Sequence, residues 1–222
     1  MEKQPTRAMQ VYSAIVAILG WTAVVLQFYL ILLNRTASVA EIIIRFFSFF
    51  TILTNILVAF CCTMLWLRPG SSRGRYFSMP GTLTAITVYI TIVGLVYNLV
   101  LRSYWEPQGL QQIVDELLHS VMPSIFLIFW IVFVPKNKLQ WKEVFPWLIY
   151  PLVYILFIIV RGAMSGFYPY PFIDINKIAY HEALINTGGL LIGFFLLSLL
   201  LVGIGKLSRG TGRQRNGKST TT

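Results

Sequence analysis

Hydrophobic residues fall in six long blocks along the chain, Met9–Leu33, Phe46–Leu67, Gly81–Leu101, Leu117–Val134, Val144–Val160 and Ala179–Gly205, with short polar connections between them. A helix of about 17–25 mostly apolar residues is long enough to cross the hydrocarbon core of a bilayer. The pattern therefore predicts an all-α, polytopic membrane protein, with six transmembrane helices in one bundle over residues 1–207. Residues 208–222 are polar and basic and are expected to form a disordered tail. The first block is too long for a signal peptide and lacks a small-residue cleavage site, so it is expected to be a span.

The polar residues inside the blocks are few and concentrated. In Phe46–Leu67, Ser48, Thr51 and Asn55 follow one another at steps of three and four and would share one helix face, with Thr54 beside them. A lipid-facing helix has no use for such a stripe, which must look at other helices or at a water-filled pocket. Interhelical hydrogen bonding is the plain alternative and contributes about 1 kcal/mol per contact. The third block ends in Asn98. The fourth opens with His119, four residues after Asp115 and three after Glu116, so either carboxylate could reach the imidazole on a helix. Pro123, one turn deeper, should kink the span and free a carbonyl.

After Arg161 comes RGAMSGFYPYPFIDIN, in which glycines and prolines forbid a regular helix while Phe167, Tyr168, Tyr170 and Phe172 make the segment adhesive. It is expected either to fold over the outer mouth of the bundle as a lid or to anchor at the membrane interface. The last block begins near His181 and Asn186, and its Gly189 and Gly193, four apart, allow close helix approach.

Composition supports this reading. Hydrophobic residues make up 56% of the chain and charged residues 12%, against about 25% charged in soluble domains. The net charge of +10 would suggest nucleic acid if it were evenly spread. It is not. An even number of crossings places both termini on one side, and thirteen of the eighteen Lys and Arg residues lie there. Six of the eight acidic residues lie on the other. The positive-inside rule then puts both termini in the cytoplasm and removes nucleic acid as a partner. The only cysteines, Cys61 and Cys62, are adjacent within a span and fit neither a disulfide nor a metal site.

Thr51 lies six residues beyond Arg45, about 9 Å along a helix axis, and His119 four beyond Asp115, about 6 Å. Asn98, Arg161, His181 and Asn186 fall at the same outer level on other elements. Intramembrane polar groups gathered at one depth read as a site. A hydroxyl and an imidazole are the parts of a nucleophile–base pair, with Asp115 or Glu116 to orient the ring. Asn55, Asn98, Tyr168 or Arg161 could donate to a developing oxyanion. A metal site through His119, His181, Asp115 and Glu116 has no supporting H-x-x-x-H or E-x-x-H signature. The same pocket could instead bind or transport a lipid or small molecule without chemistry, or the polar stripe could be structural only.

Three pieces carry a family resemblance: Phe49-Phe50-Thr51 in the second block, His119 with Pro123 in the fourth, and the run from Tyr154 to Asp174 containing YPYPFID. In this order they resemble the androgen-induced-gene-like integral membrane family, which includes proteins like the androgen-dependent regulator of tissue factor pathway inhibitor, and its six-span bacterial branch. The spacing from His119 to the following proline is one residue tighter than in the family. The resemblance implies an intramembrane hydrolase that cleaves fatty acid esters of hydroxy fatty acids, with Thr51 as nucleophile and His119 as base. It further implies residence in a bacterial plasma membrane, a membrane lipid ester as substrate and no cofactor. Thr54 competes with Thr51 for the nucleophile's role.

Overall fold

The computed structural model describes residues 5–104 and 106–215. Trp105 and the end of the expected tail lie outside them. Six helical segments are long and apolar enough to cross a membrane: Arg7–Leu33, Phe50–Leu67, Pro80–Ser103, Leu110–Phe133, Trp141–Ser165 and Tyr180–Leu207. Among the described residues the secondary structure is entirely helical. The protein is an all-α, multi-pass membrane protein.

Helix α1 (Arg7–Leu33) starts on a Thr6 cap, whose hydroxyl accepts from Met9 N. It is followed by α2 (Val39–Phe47), capped by Ser38, and α3 (Phe50–Leu67). The second hydrophobic block is thus two helices. The chain is extended at Phe49 (φ −85°, ψ 124°), so Ser48 leaves the stripe it was expected to share with Thr51 and Asn55, and the helical depth assigned to Thr51 from Arg45 no longer applies. No proline or glycine marks the break. Side chains sustain it: the Tyr154 hydroxyl donates to Ser48 O at 2.8 Å and accepts from Phe50 N at 3.2 Å. Backbone groups opened within a membrane need such partners, because hydrocarbon offers none.

A short helix α4 (Ser72–Ser78) turns the chain into α5 (Pro80–Leu99), which begins with proline at its first position. The third span, which α5 dominates, is the most buried of the six: 61% of its apolar window is enclosed, against 28% in each of the last two spans. The fourth span begins earlier than expected. Helix α6 (Leu110–Glu116) precedes the apolar block and continues through a π-helical turn at Leu117–Val121 into α7 (Met122–Phe133).

The fifth span is interrupted between α8 (Val144–Trp147) and α9 (Ile149–Ser165). Pro151 offers no N–H to Trp147 O, four residues back; that carbonyl accepts instead from the Tyr89 hydroxyl of α5 at 2.7 Å. α9 ends at Gly166, whose left-handed backbone (φ 67°) suits glycine at a helix C-terminus. The last helix, α10, covers Tyr180–Arg215 and therefore runs into the stretch expected to be tail.

The close helix approach expected at Gly189 and Gly193 is not found within the chain, since a Cβ at Gly189 would meet nothing within 4 Å and one at Gly193 would make only an ordinary contact, 3.8 Å from Ile92 Cδ1. It occurs at Gly94 of α5. A Cβ at that position would lie 2.9 Å from Pro123 Cβ and 3.3 Å from His119 O. The missing side chain lets the third span touch the π-helical turn of the fourth.

Replacing Gly94 by alanine should therefore overpack this contact and destabilise the protein by about 1–3 kcal/mol, whereas Gly189→Ala should not destabilise it. Thermal unfolding of the two variants in the same detergent measures the difference.

Candidate functional site

The site begins with a backbone problem. Pro123 has no N–H, so neither the carbonyl four residues back, His119 O, nor the one five back, Leu118 O, finds its helical partner. Each is claimed by an asparagine amide from a neighbouring span. Asn55 Nδ2 of α3 donates to Leu118 O at 3.2 Å, and Asn98 Nδ2 of α5 donates to His119 O at 3.3 Å. Both asparagines also tie back to their own helices, Asn55 to Thr51 O at 2.9 Å and Asn98 to Gly94 O at 2.9 Å. Two of the candidate oxyanion donors are thus occupied in holding the turn that carries His119.

The imidazole is fixed on three sides. His119 Nδ1 lies 2.9 Å from Asp115 O and 3.3 Å from Asp115 Oδ1. Both are acceptors when the carboxylate is ionised, so these partners assign the ring proton to Nδ1 and leave the Nε2 lone pair free. Tyr97 stacks on the ring, with centroids 4.1 Å apart and planes 16° from parallel, and its hydroxyl donates to Asp115 Oδ2. Of the two carboxylates considered, Asp115 is the one that reaches the histidine. Glu116 turns the other way and pairs with Arg102 on an exposed surface.

Thr51, at the second position of α3, and His119 line the same cavity, with a volume of about 120 Å³. Thr51 is 7% exposed. Its amide N–H points at the Tyr170 hydroxyl, 3.4 Å away. Thr54 is absent from the cavity wall, and its hydroxyl instead lies 3.3 Å from that of Tyr150. The rest of the wall is almost wholly apolar, with Ile92, Val96, Ile158 and Phe194 among its residues. Between α9 and α10 it includes Ile159 and Leu184, both exposed on the outer surface of the bundle. That wall reaches the surface of the bundle.

The segment after Arg161 covers this cavity, as the lid alternative expects. Tyr168, Tyr170, Phe172 and Ile173 all line it. Tyr168 lies against Gly162, where a Cβ would clash with its ring. Tyr170 stacks on Phe172 at 5.3 Å and meets Phe49 edge-on at 6.0 Å. Burial pushes the Tyr170 phenol above its ordinary value, keeping it protonated. Asn186 Nδ2 holds the segment from α10 through Phe172 O at 2.8 Å.

A charged clasp holds the other end. Glu41 Oε1 accepts from Arg45 Nε at 2.7 Å and Arg161 Nη2 at 2.9 Å, and Arg161 Nε donates to Ser48 Oγ at 2.8 Å. Both guanidinium groups lie over Phe167, at 4.6 Å and 5.3 Å from its centroid. Arg161 and Ser48 serve this clasp and do not line the cavity. His181 is exposed and stands outside the cavity wall. Among the described residues no three His, Cys, Asp or Glu side chains gather as a metal site.

Sequence reasoning singled out Thr51, His119 and Tyr168 for the cavity and Asp115 for its support. It missed Tyr97, Tyr154 and Tyr170 as hydrogen-bonding groups. The only signal for Tyr170 was its place in the aromatic YPYP run, which marks adhesion and gives no direction for a hydroxyl. Comparison with known proteins finds no match to a family model, a curated protein or a solved structure.

Asn55→Leu should leave Leu118 O without its partner and destabilise the protein by about 1–3 kcal/mol, measured by thermal unfolding. A pH dependence follows from the clasp. The Arg45 hydrogen bond, reinforced by Arg161, holds the Glu41 carboxyl below the ordinary glutamate value. A folded-state pKa lowered in this way gives a contribution that is complete above the unfolded-state pKa and is lost as pH falls through the lowered value. Acidification should therefore raise amide exchange over residues 166–179, after correction for intrinsic rates. Glu41→Gln should give the raised exchange already at neutral pH.

Proposed function

We propose that this protein is an intramembrane hydrolase of lipid esters, in which Thr51 is the nucleophile and His119 the general base. The observation that carries the proposal is that both side chains line one cavity that reaches the surface of the bundle while Asp115 holds the Nδ1 side of the imidazole. The resemblance to the androgen-induced-gene-like family points the same way, toward fatty acid esters of hydroxy fatty acids. The asymmetry of basic residues supports cytoplasmic termini, and the likeness to the bacterial branch supports the plasma membrane as its location.

The steps follow from the chemistry of a hydroxyl–imidazole pair. As Thr51 Oγ1 forms a bond to the acyl carbon, its proton passes to His119 Nε2 and the carbonyl π pair moves onto oxygen. Collapse of the tetrahedral intermediate breaks the ester C–O bond, and His119 returns the proton to the departing alkoxide. Water, deprotonated by the same nitrogen, then releases the fatty acid and restores the threonine. Asp115 stabilises the imidazolium formed on the way, as the buried carboxylate does in a Ser-His-Asp triad. Apolar walls accept an acyl chain, and the face between α9 and α10 lets it arrive sideways from the bilayer.

The almost wholly apolar lining also favours a second reading, a lipid-binding or transport protein that uses the same cavity without bond cleavage. Hydrolysis of a p-nitrophenyl acyl ester by the full-length protein in phospholipid nanodiscs separates the two. Thr51→Ala and His119→Ala should each lower kcat by at least about 10³-fold, while Thr54→Ala keeps most of the activity. Equal rates for wild type and both variants would leave the carrier reading standing.

A further inference from the structure

A threonine that attacks a carbonyl needs a donor placed where negative charge appears on the carbonyl oxygen. The four groups with suitable chemistry in the sequence are poorly placed for this. Asn55 and Asn98 hold the carbonyls freed by Pro123. Arg161 is engaged with Ser48 and Glu41 away from the cavity. Tyr168 lines the cavity but is packed onto Gly162. A different hydroxyl stands beside the nucleophile. Tyr170 lies on the cavity wall with its oxygen 3.4 Å from Thr51 N.

We infer that Tyr170 donates its hydroxyl hydrogen to the oxyanion formed when Thr51 attacks, so that the segment covering the cavity also completes the catalytic group. This rests on the Thr51–His119 reading of the site.

Three further observations fit that role. Tyr154 already serves the chain break at Ser48–Phe49, donating to Ser48 O and accepting from Phe50 N. Its hydrogen is therefore spent on backbone, whereas the Tyr170 hydroxyl, next to the hydroxyls of Thr51 and Tyr154, accepts from Thr51 N. At 3.4 Å that contact is long and leaves the hydroxyl free to re-aim. The ring itself is held firmly, stacked on Phe172 and edge-on to Phe49. The donor is then fixed in place before charge develops, which is the condition under which such hydrogen bonds accelerate a reaction. No proton is transferred by Tyr170. The bond-making and proton steps remain those of Thr51 and His119.

The test is Tyr170→Phe in the full-length protein in nanodiscs, which removes one hydroxyl and keeps the ring contacts. On a p-nitrophenyl acyl ester, kcat should fall about 10²-fold or more with KM little changed. Phosphonylation of Thr51 by an alkyl fluorophosphonate should slow in parallel, because its phosphoryl oxygen takes the same donor. Unchanged kcat, or a rise in KM alone with a lowered melting temperature, would overturn the inference and leave Tyr170 as a packing residue. If Thr51→Ala abolishes hydrolysis while Tyr170→Phe retains the wild-type kcat, the inference fails and the nucleophile assignment survives. If Thr51→Ala is as active as wild type, both fail together. Incorporating 3,5-difluorotyrosine at position 170 acidifies the phenol without removing it. The alkaline limb of the kcat–pH profile should then move to lower pH, and an unmoved limb would count against the donor role.

Discussion

The end of the bundle that carries His119 depends on one missing amide hydrogen. Pro123 sits where a fourth-span residue would otherwise donate to the carbonyls of Leu118 or His119, and in a bilayer no water replaces it. The chain widens into a π-helical turn there, and asparagines from the second and third spans supply the lost donors. The consequence is positional. Fixing the carbonyls on either side of the His119 side chain fixes the ring, which Tyr97 and Asp115 then orient. π-Helical turns recur at functional sites for this reason: they displace one side chain from the regular helical register.

The same solution appears twice more. The carbonyl orphaned by Pro151 is met by Tyr89 of the third span, and the open ends at Ser48 and Phe50 are met by Tyr154 of the fifth. Each irregularity lies against protein, as irregular backbone within a membrane must. The third span supplies two of these donors, Asn98 and Tyr89, which accounts for its being the most enclosed helix. Its Gly94 is small because Pro123 and the His119 carbonyl press against it. Between these fixed points a cavity remains, walled mostly by apolar side chains, with Thr51, His119 and Tyr170 among its lining residues.

Much of this was legible in the sequence, and the parts that were not have physical reasons. The six spans follow from block lengths alone, because the hydrocarbon thickness sets a minimum that each block meets. Thr51 and His119 stood out because polar residues are rare in spans. The break at Ser48–Phe49 was not, since FFSFF contains neither proline nor glycine and the partners that sustain the break lie more than 100 residues away. The helix of the fourth span reaches back to Leu110, ahead of the apolar block, and this was not legible because it depends on Asp115 being buried against Tyr97 and His119. Asn55 and Asn98 were recognised as polar groups at the site. That their amides face backbone carbonyls depends on the proline's neighbours in three dimensions, which spacing along one helix does not encode.

Accumulation and mapping of the covalent intermediate bears most directly on this arrangement of hydroxyl, imidazole and cavity. The protein in nanodiscs, quenched in acid during turnover of a slowly deacylating fatty acyl ester, should carry one acyl group. Peptide mass spectrometry should locate it on Thr51, and Asp115→Asn should form it more slowly at the same residue. An acyl group on any other side chain, or hydrolysis that proceeds at full rate with no acyl-protein at any time of quenching, would contradict a threonine nucleophile served by His119.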